Sequence, residues 1–283
     1  MKSKTFIIQF LLLCTLIVYL FVTAPPPLSE TESTGMQIPI ERVFKIANEE
    51  NKQARALYTK EIVQAGKKQG LKFDEQWQES NIIAGPLPAQ FLRETAMHLE
   101  KSPVRLGLYL GSDYPINKVN QLSGQQLELF KKIKQTGRDH FYHIPEDKTY
   151  VYMSPDVAIA KACVSCHNEH KETPKQDWKL DDVMGATTWL YPEETISLSE
   201  ALHLLSELRA GFRFAYKYFL MEIKQMKNPP EIGNKWPRDG YYVPSIDGFM
   251  TKLTSRSSAD TLDLLMQSVK KSEKGGENDR EPG

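Results

Sequence analysis

The residues able to do chemistry sit together: Cys163-Val164-Ser165-Cys166-His167. Two thiols at this spacing can each form a thioether with a vinyl-derived carbon of a porphyrin. The imidazole that follows is then held under the iron as its proximal ligand. C-x-x-C-H is thus the attachment pattern of a c-type haem. Two other chemistries use the same residue types. A thiol–disulfide pair belongs at a helix N-terminus in a βαβ setting, whereas the pattern here places the motif at a helix C-terminus. Zinc held by Cys163, Cys166, His167 and His170 would need adjacent Cys166 and His167 to chelate one ion, without the usual gap between ligand pairs.

A sixth iron ligand would be His or Met for electron transfer, and an empty position would admit a gas. Met97, His98, His140, His143, Met153, His170 and Met184 are the candidates. Met97 and His98 rank first, because their helix can pack across a sheet. His140 and His143 point to opposite faces of one strand, so at most one could serve. His170 lies too close to His167 in sequence to reach the opposite haem face. Haem propionates require cations or hydrogen-bond donors. Arg105 and Arg138 are the candidates, with Lys161 reading as a solvated charge.

The elements that must position these groups follow from periodicity. Apolar residues from Ile40 to Ala65 recur at helical steps, and Lys67-Lys68-Gln69-Gly70 marks the stop. Pro86 and Pro88 open a second helix over 87–100. Val104–Tyr109 reads as a strand and Gln125–Lys134 as a short helix. His140–Ile144 and Tyr150–Met153 form a hairpin around Pro145-Glu146-Asp147-Lys148. Ser154 and Pro155 suggest the N-cap and first residue of a helix over 156–162 that runs into Cys163. Val183–Tyr191 reads as a buried strand. This order predicts an α+β domain with a small antiparallel sheet. Residues 196–226 follow as a long amphipathic helix, too charged for a membrane span. Residues 236–250 are aromatic and irregular, 262–269 suggest a short helix, and 270–283 a polar tail.

The chain has 283 residues, and its 36 Lys plus Arg balance 36 Asp plus Glu, so nothing suggests nucleic-acid binding. Only Cys163 and Cys166 lie outside the apolar N-terminal segment, which excludes a disulfide framework. That segment, Phe6–Val22 behind Lys2 and Lys4, reads as an uncleaved signal anchor over 1–24. Pro25 fits a peptidase site poorly. A linker over 25–39 would lead into an extracytoplasmic body over 40–192, then the helix over 193–227 and a C-terminal segment over 228–283.

The body resembles the bacterial and cyanobacterial c-type haem-binding domains with a PAS-like fold that serve as sensor domains of chemoreceptors, histidine kinases and cyclases. The matching stretches are Leu57-Tyr58-Thr59-Lys60, Gly85-Pro86-Leu87-Pro88-Ala89, and Leu108 to Asn117 (LYLGSDYPIN). They continue through Ala158 to Asn168 (AIAKACVSCHN), Pro174 to Leu180 (PKQDWKL) and Asp182-Val183-Met184-Gly185-Ala186. The resemblance implies a PAS-like antiparallel sheet and one covalent haem c on Cys163 and Cys166, with His167 as proximal ligand. Gly185 fits a point where the strand passes close to another group. Some relatives carry a cysteine on the first helix that could reach the iron. None stands there here, which excludes a thiolate ligand. Relatives usually read Gly-Asp-Val before the last strand, where this chain has Asp181-Asp182-Val183.

The expectation is therefore a membrane-anchored haem c protein of the periplasm, non-catalytic, acting as a redox or diatomic-gas sensor. The alternatives are a six-coordinate electron carrier and, less favoured, a peroxidase-like enzyme. With no second span or output module legible, signalling would pass to a partner protein or through homodimer formation. The helix over 196–226 would be the signalling surface or a cap on the haem domain.

Overall fold

A computed structural model describes residues 37–257 and Thr261, with isolated positions at Leu13, Thr15 and Tyr19. The expected anchor over 1–24, most of the linker, and the helix and tail beyond 261 lie outside the described residues. The last three linker residues, Gln37–Pro39, form a strand, β1.

The first helix is continuous but not uniform. α1 (Ile40–Leu57) passes into a π-helical segment (Tyr58–Gln64) and returns to α geometry as α2 (Ala65–Lys68). Gly70, at φ 90°, ends it. β2 (Phe73–Asp74) and β3 (Gly85–Pro86) pair in parallel, and α3 (Pro88–Lys101) starts on its proline. β4 (Gly107–Gly111), α4 (Gly124–Thr136), β5 (His140–Ile144) and β6 (Thr149–Val157) follow. Next come α5 (Lys161–Glu169), β7 (Val183–Tyr191), β8 (Thr195–Ser197) and α6 (Leu198–Ile223).

Strands β4, β7, β6 and β5, in that spatial order, make one antiparallel sheet. The fold is α+β, as the element order predicts, with helices on both faces of this sheet. Strand alternation sends Tyr152, Trp189 and Tyr191 into the main core under α1, α3 and α6. Met153 and Ala186 face the other way, against Leu129, Phe130 and Ile133 of α4. Asn48 locks α1 to the sheet. Its Nδ2 donates to Ser154 Oγ at 3.0 Å, and its Oδ1 accepts from Trp189 Nε1 at 3.2 Å. Each group is buried and satisfied, so the helix has one favoured register on the sheet.

Two sequence expectations change here. Ser154 and Pro155 do not start a helix: β6 continues through Val157, and the helix begins at Lys161. Proline is tolerated because β5 ends opposite Met153, leaving no strand beside Pro155 on that edge. The Asp181 turn keeps the conformation a glycine would give. Asp181 adopts φ 69°, a region Asp enters more readily than most residues. Ala158 N–H donates to Asp182 O at 2.9 Å and closes the turn onto the strand.

α6 packs along α3 and reaches α1 rather than projecting away. Its buried stripe includes Leu204, Leu208, Phe212, Ala215 and Phe219. Ser197 caps its start, accepting from Glu200 N–H at 3.1 Å. The segment that sequence alone left unplaced becomes β9 (Glu231–Gly233), β10 (Tyr242–Pro244) paired parallel to it, and a helix α7 over 246–257. Tyr216 anchors this segment through its hydroxyl on Pro244 O at 2.9 Å and by stacking on Phe249 at 4.1 Å. Among the described residues no helix is long and apolar enough to cross a membrane.

Candidate functional site

Cys163, Cys166 and His167 occupy positions i, i+3 and i+4 of α5, which places them on one helix face. That face lines a cleft of about 1300 Å³, open mouth included. Ala162 and His170 lie on the same face and also border it. The rest of the lining comes from the first helix, the start of α3, the ends of β4, β6 and β7, the loop over 112–120 and Glu75. Most of the lining is apolar, including Val63, Leu87, Leu92, Leu110, Ile116 and Ile159.

The first helix supplies a single stripe: Arg55, Thr59, Val63 and Lys67. An α-helix over-rotates by about 40° for every four residues, so such a stripe would wind off the wall. The wider π turn at 58–64 under-rotates and brings it back. No thiol stands on this stripe. Tyr58 braces the segment from behind, with its hydroxyl on Pro86 O at 2.8 Å and its ring stacked on Phe91 at 4.3 Å.

Behind the motif, Asn168 holds the later Asp177-Trp178-Lys179-Leu180 stretch. Its Oδ1 accepts from Trp178 N–H at 2.9 Å, and its Nδ2 donates to Trp178 O at 3.0 Å. Trp178 then packs with Ala158, Met184, Cys163 and Val164. Lys175 lies 4.7 Å from the centre of its ring. Gly185 faces β4 closely: a Cβ there would sit 2.7 Å from Gly111 O. The close approach expected at this glycine is to a neighbouring backbone.

Burial, with His170 nearby, pushes the His167 value down and favours the neutral imidazole that ligates metals. Burial pushes the Cys166 thiol up, against a smaller opposing pull from Lys67. A redox dithiol needs the reverse. That distinction matters because the motif lies in the first turns of α5, not at a helix C-terminus, so helix position no longer separates haem from dithiol chemistry. The surrounding strands β6 and β7 are antiparallel neighbours, unlike a βαβ unit. Among the described residues no group of three or more His, Cys, Asp or Glu is arranged to hold a metal ion, so the zinc arrangement is not assembled.

The other nominated residues lie apart from the cleft, except two. Met97 and His98 do not line it. His98 faces α6, with Nε2 3.4 Å from Glu207 and its ring 5.3 Å from Phe214. Arg105 is exposed and pairs with Glu193, and Arg138 is exposed beyond α4. Arg105 precedes β4 and Arg138 precedes β5, and neither lines the cleft. His140 and His143 pack beside Tyr142 and Tyr150 on the β5–β6 hairpin. Met153 is buried against α4. His170 does line the cleft, but both nitrogens are engaged: Nε2 lies 3.1 Å from Glu75, and Nδ1 accepts from Glu172 N–H at 3.2 Å. Met184 lines it from the side of Cys163 and Trp178.

The cations that do reach the cleft are Arg55 and Lys67. Arg55 is held by Asp156 at 2.7 Å, and Asp156 also accepts from Thr187 Oγ1 at 2.8 Å. Gln90 lines the cleft with its Oε1 buried and unpartnered. Helical periodicity placed Arg55 and Thr59 on the first helix but could not say which face met α5.

Two thiols and an imidazole thus share one helix face, under an apolar cleft with charged and amide groups in its wall. The chain belongs to the Tll0287-like family, whose sequence model matches residues 40–192, and this family is associated with c-type haem binding. No curated protein and no solved structure matches the chain.

Proposed function

We propose that this chain is an exported, membrane-anchored haem c protein whose PAS-like domain senses redox state or a diatomic gas. In this reading Cys163 and Cys166 carry the thioether bonds and His167 is the proximal ligand. Bound there, the haem would supply an iron that changes oxidation state or takes a small ligand. Arg55 and Lys67 are the cations available to the propionates, with Asp156 orienting Arg55. The apolar lining excludes water and strengthens the polar contacts made inside it.

One observation favours sensing over simple electron carriage. The lining supplied by the first helix and by α3 with its lead-in offers no His, Met or Cys side chain. His170 is engaged on both nitrogens, and Met184 sits beside the attachment helix. That lining therefore has no ready strong-field partner for the face opposite His167. The test is the absorption spectrum of the purified holoprotein, ferric and ferrous, with carbon monoxide and nitric oxide. A shift of the ferrous Soret band on adding gas is the expected result. A low-spin spectrum indifferent to both gases would make the protein a carrier.

A further inference from the structure

On the reading of this cleft as a haem site, we propose that the π-segment transmits the state of the cleft to the C-terminal segment, with Glu61 as the relay. The segment has two loaded faces. Thr59 and Val63 line the cleft. Glu61, between them in sequence, turns away, and its side chain is only 15% exposed. Three cations from beyond the family-matched region converge on it. Lys252 Nζ lies 2.5 Å away, Arg238 3.8 Å away, and Arg256 bonds the other carboxylate oxygen. Lys252 also rests 4.0 Å over the Trp236 ring.

The neighbouring helical turns are fixed differently. α1 is pinned by two ion pairs, Glu50 with Arg209 of α6 and Arg55 with Asp156 of β6. Glu50 is almost wholly buried and also accepts from Thr261. A displacement imposed at Thr59 or Val63 therefore cannot be absorbed toward the N-terminus without breaking these pairs. A π-helical stretch is an α-helix with one residue too many, and relaxing it turns one flank by about 100° relative to the other. With α1 held, the rotation accumulates along 58–64, so Glu61, midway along it, turns by about half that amount, enough to take the carboxylate away from Lys252, Arg238 and Arg256. The proposed switch is between this π register and a relaxed α register, with cleft and clamp each biasing the choice.

The test is amide hydrogen exchange on the full haem-loaded chain, ferric against ferrous, read in peptides covering 236–257. The expected result is a change of about threefold or more in exchange rate between the two states. In Glu61→Gln, and independently in Arg256→Gln should the first variant fold poorly, that difference should disappear while the haem absorption bands persist. Equal exchange in both oxidation states of the native chain would overturn the relay. So would a difference that survives both substitutions. Because this comparison needs no gas, loss of the gas response strikes the gas-sensing assignment alone, and equal exchange strikes the relay alone.

Discussion

Replacing Gly185 with alanine puts the construction of the cleft under direct load. The new Cβ would stand 2.7 Å from Gly111 O, closer than real Cβ atoms approach a backbone oxygen. The obstacle is a carbonyl within the β4–β7 ladder, where Gly111 pairs with Ala186, so no side chain can swing aside. Relief requires the strands to separate by several tenths of an ångström. Overpacking of this kind costs about 1–3 kcal/mol. A weakened ladder bond adds about 1 kcal/mol, and the stiffer unfolded chain returns about 0.4–1 kcal/mol. The net loss is about 1–3.5 kcal/mol, which for a domain of this size lowers Tm by roughly 2–14 °C. Gly233 supplies the control, because a Cβ there meets nothing within 4 Å. Thermal unfolding by far-ultraviolet circular dichroism should show Gly185→Ala melting well below the native protein and Gly233→Ala within about 2 °C of it. If the two variants melt together, the tight β4–β7 approach that closes this end of the cleft is refuted.

Four further outcomes follow from named contacts. Asp181→Gly should raise stability by about 1 kcal/mol, since Asp181 holds a left-handed conformation that glycine adopts freely; a denaturant midpoint at or below the native value would contradict this. Arg55→Gln should lower the haem midpoint potential and Asp156→Asn should raise it, because the first removes a positive charge from the cleft wall and the second a negative one; spectroelectrochemistry reads both signs. Burial alone would raise the Glu61 carboxyl, but Lys252, Arg256 and Arg238 outweigh it and hold the value below the usual one. Its stabilising contribution is then complete above the unfolded value of about 4.3 and lost as pH falls through the lower folded value, so Glu61→Gln should flatten that limb of the acid-unfolding curve. Met97→Leu and His98→Gln should leave the haem spectrum unchanged, because neither side chain reaches the cleft.

How much was legible in the sequence depended on the range of the interaction that fixed each feature. Periodicity located the first helix, α3, α4, the β5–β6 hairpin and β7 to within a few residues, because each buries an alternating or helical apolar set. The C-x-x-C-H donor set was legible because its chemistry lies within five residues. Ser154-Pro155 misled because its local preference for a helix start lost to pairing with β7, which sequence spacing does not report. Four of the axial and propionate candidates lie away from the cleft for a related reason. Met97, His98, Arg105 and Arg138 have suitable chemistry, but their places depend on which helix face meets α6 and on where the sheet ends. Arg55, Lys67 and Gln90 reach the cleft through tertiary packing and a π turn, for which the sequence carries no local signal. The packing of 231–257 rests on Tyr216 with Phe249, which hold it to α6, and on the cations at Glu61, which hold it to the first helix, all contacts across long sequence separations.

The central claim is that Cys163 and Cys166 carry a haem, and one measurement addresses it most directly. The protein is produced in cells that export and mature c-type cytochromes, then denatured, extracted with acidified organic solvent, digested with trypsin and weighed by mass spectrometry. Cleavage after Lys161 and Lys171 isolates the peptide 162–171 with both thiols and His167. The account predicts that this peptide carries the mass of one haem and resists thiol alkylation. The same peptide at its unmodified mass, with both cysteines open to alkylation, would contradict it.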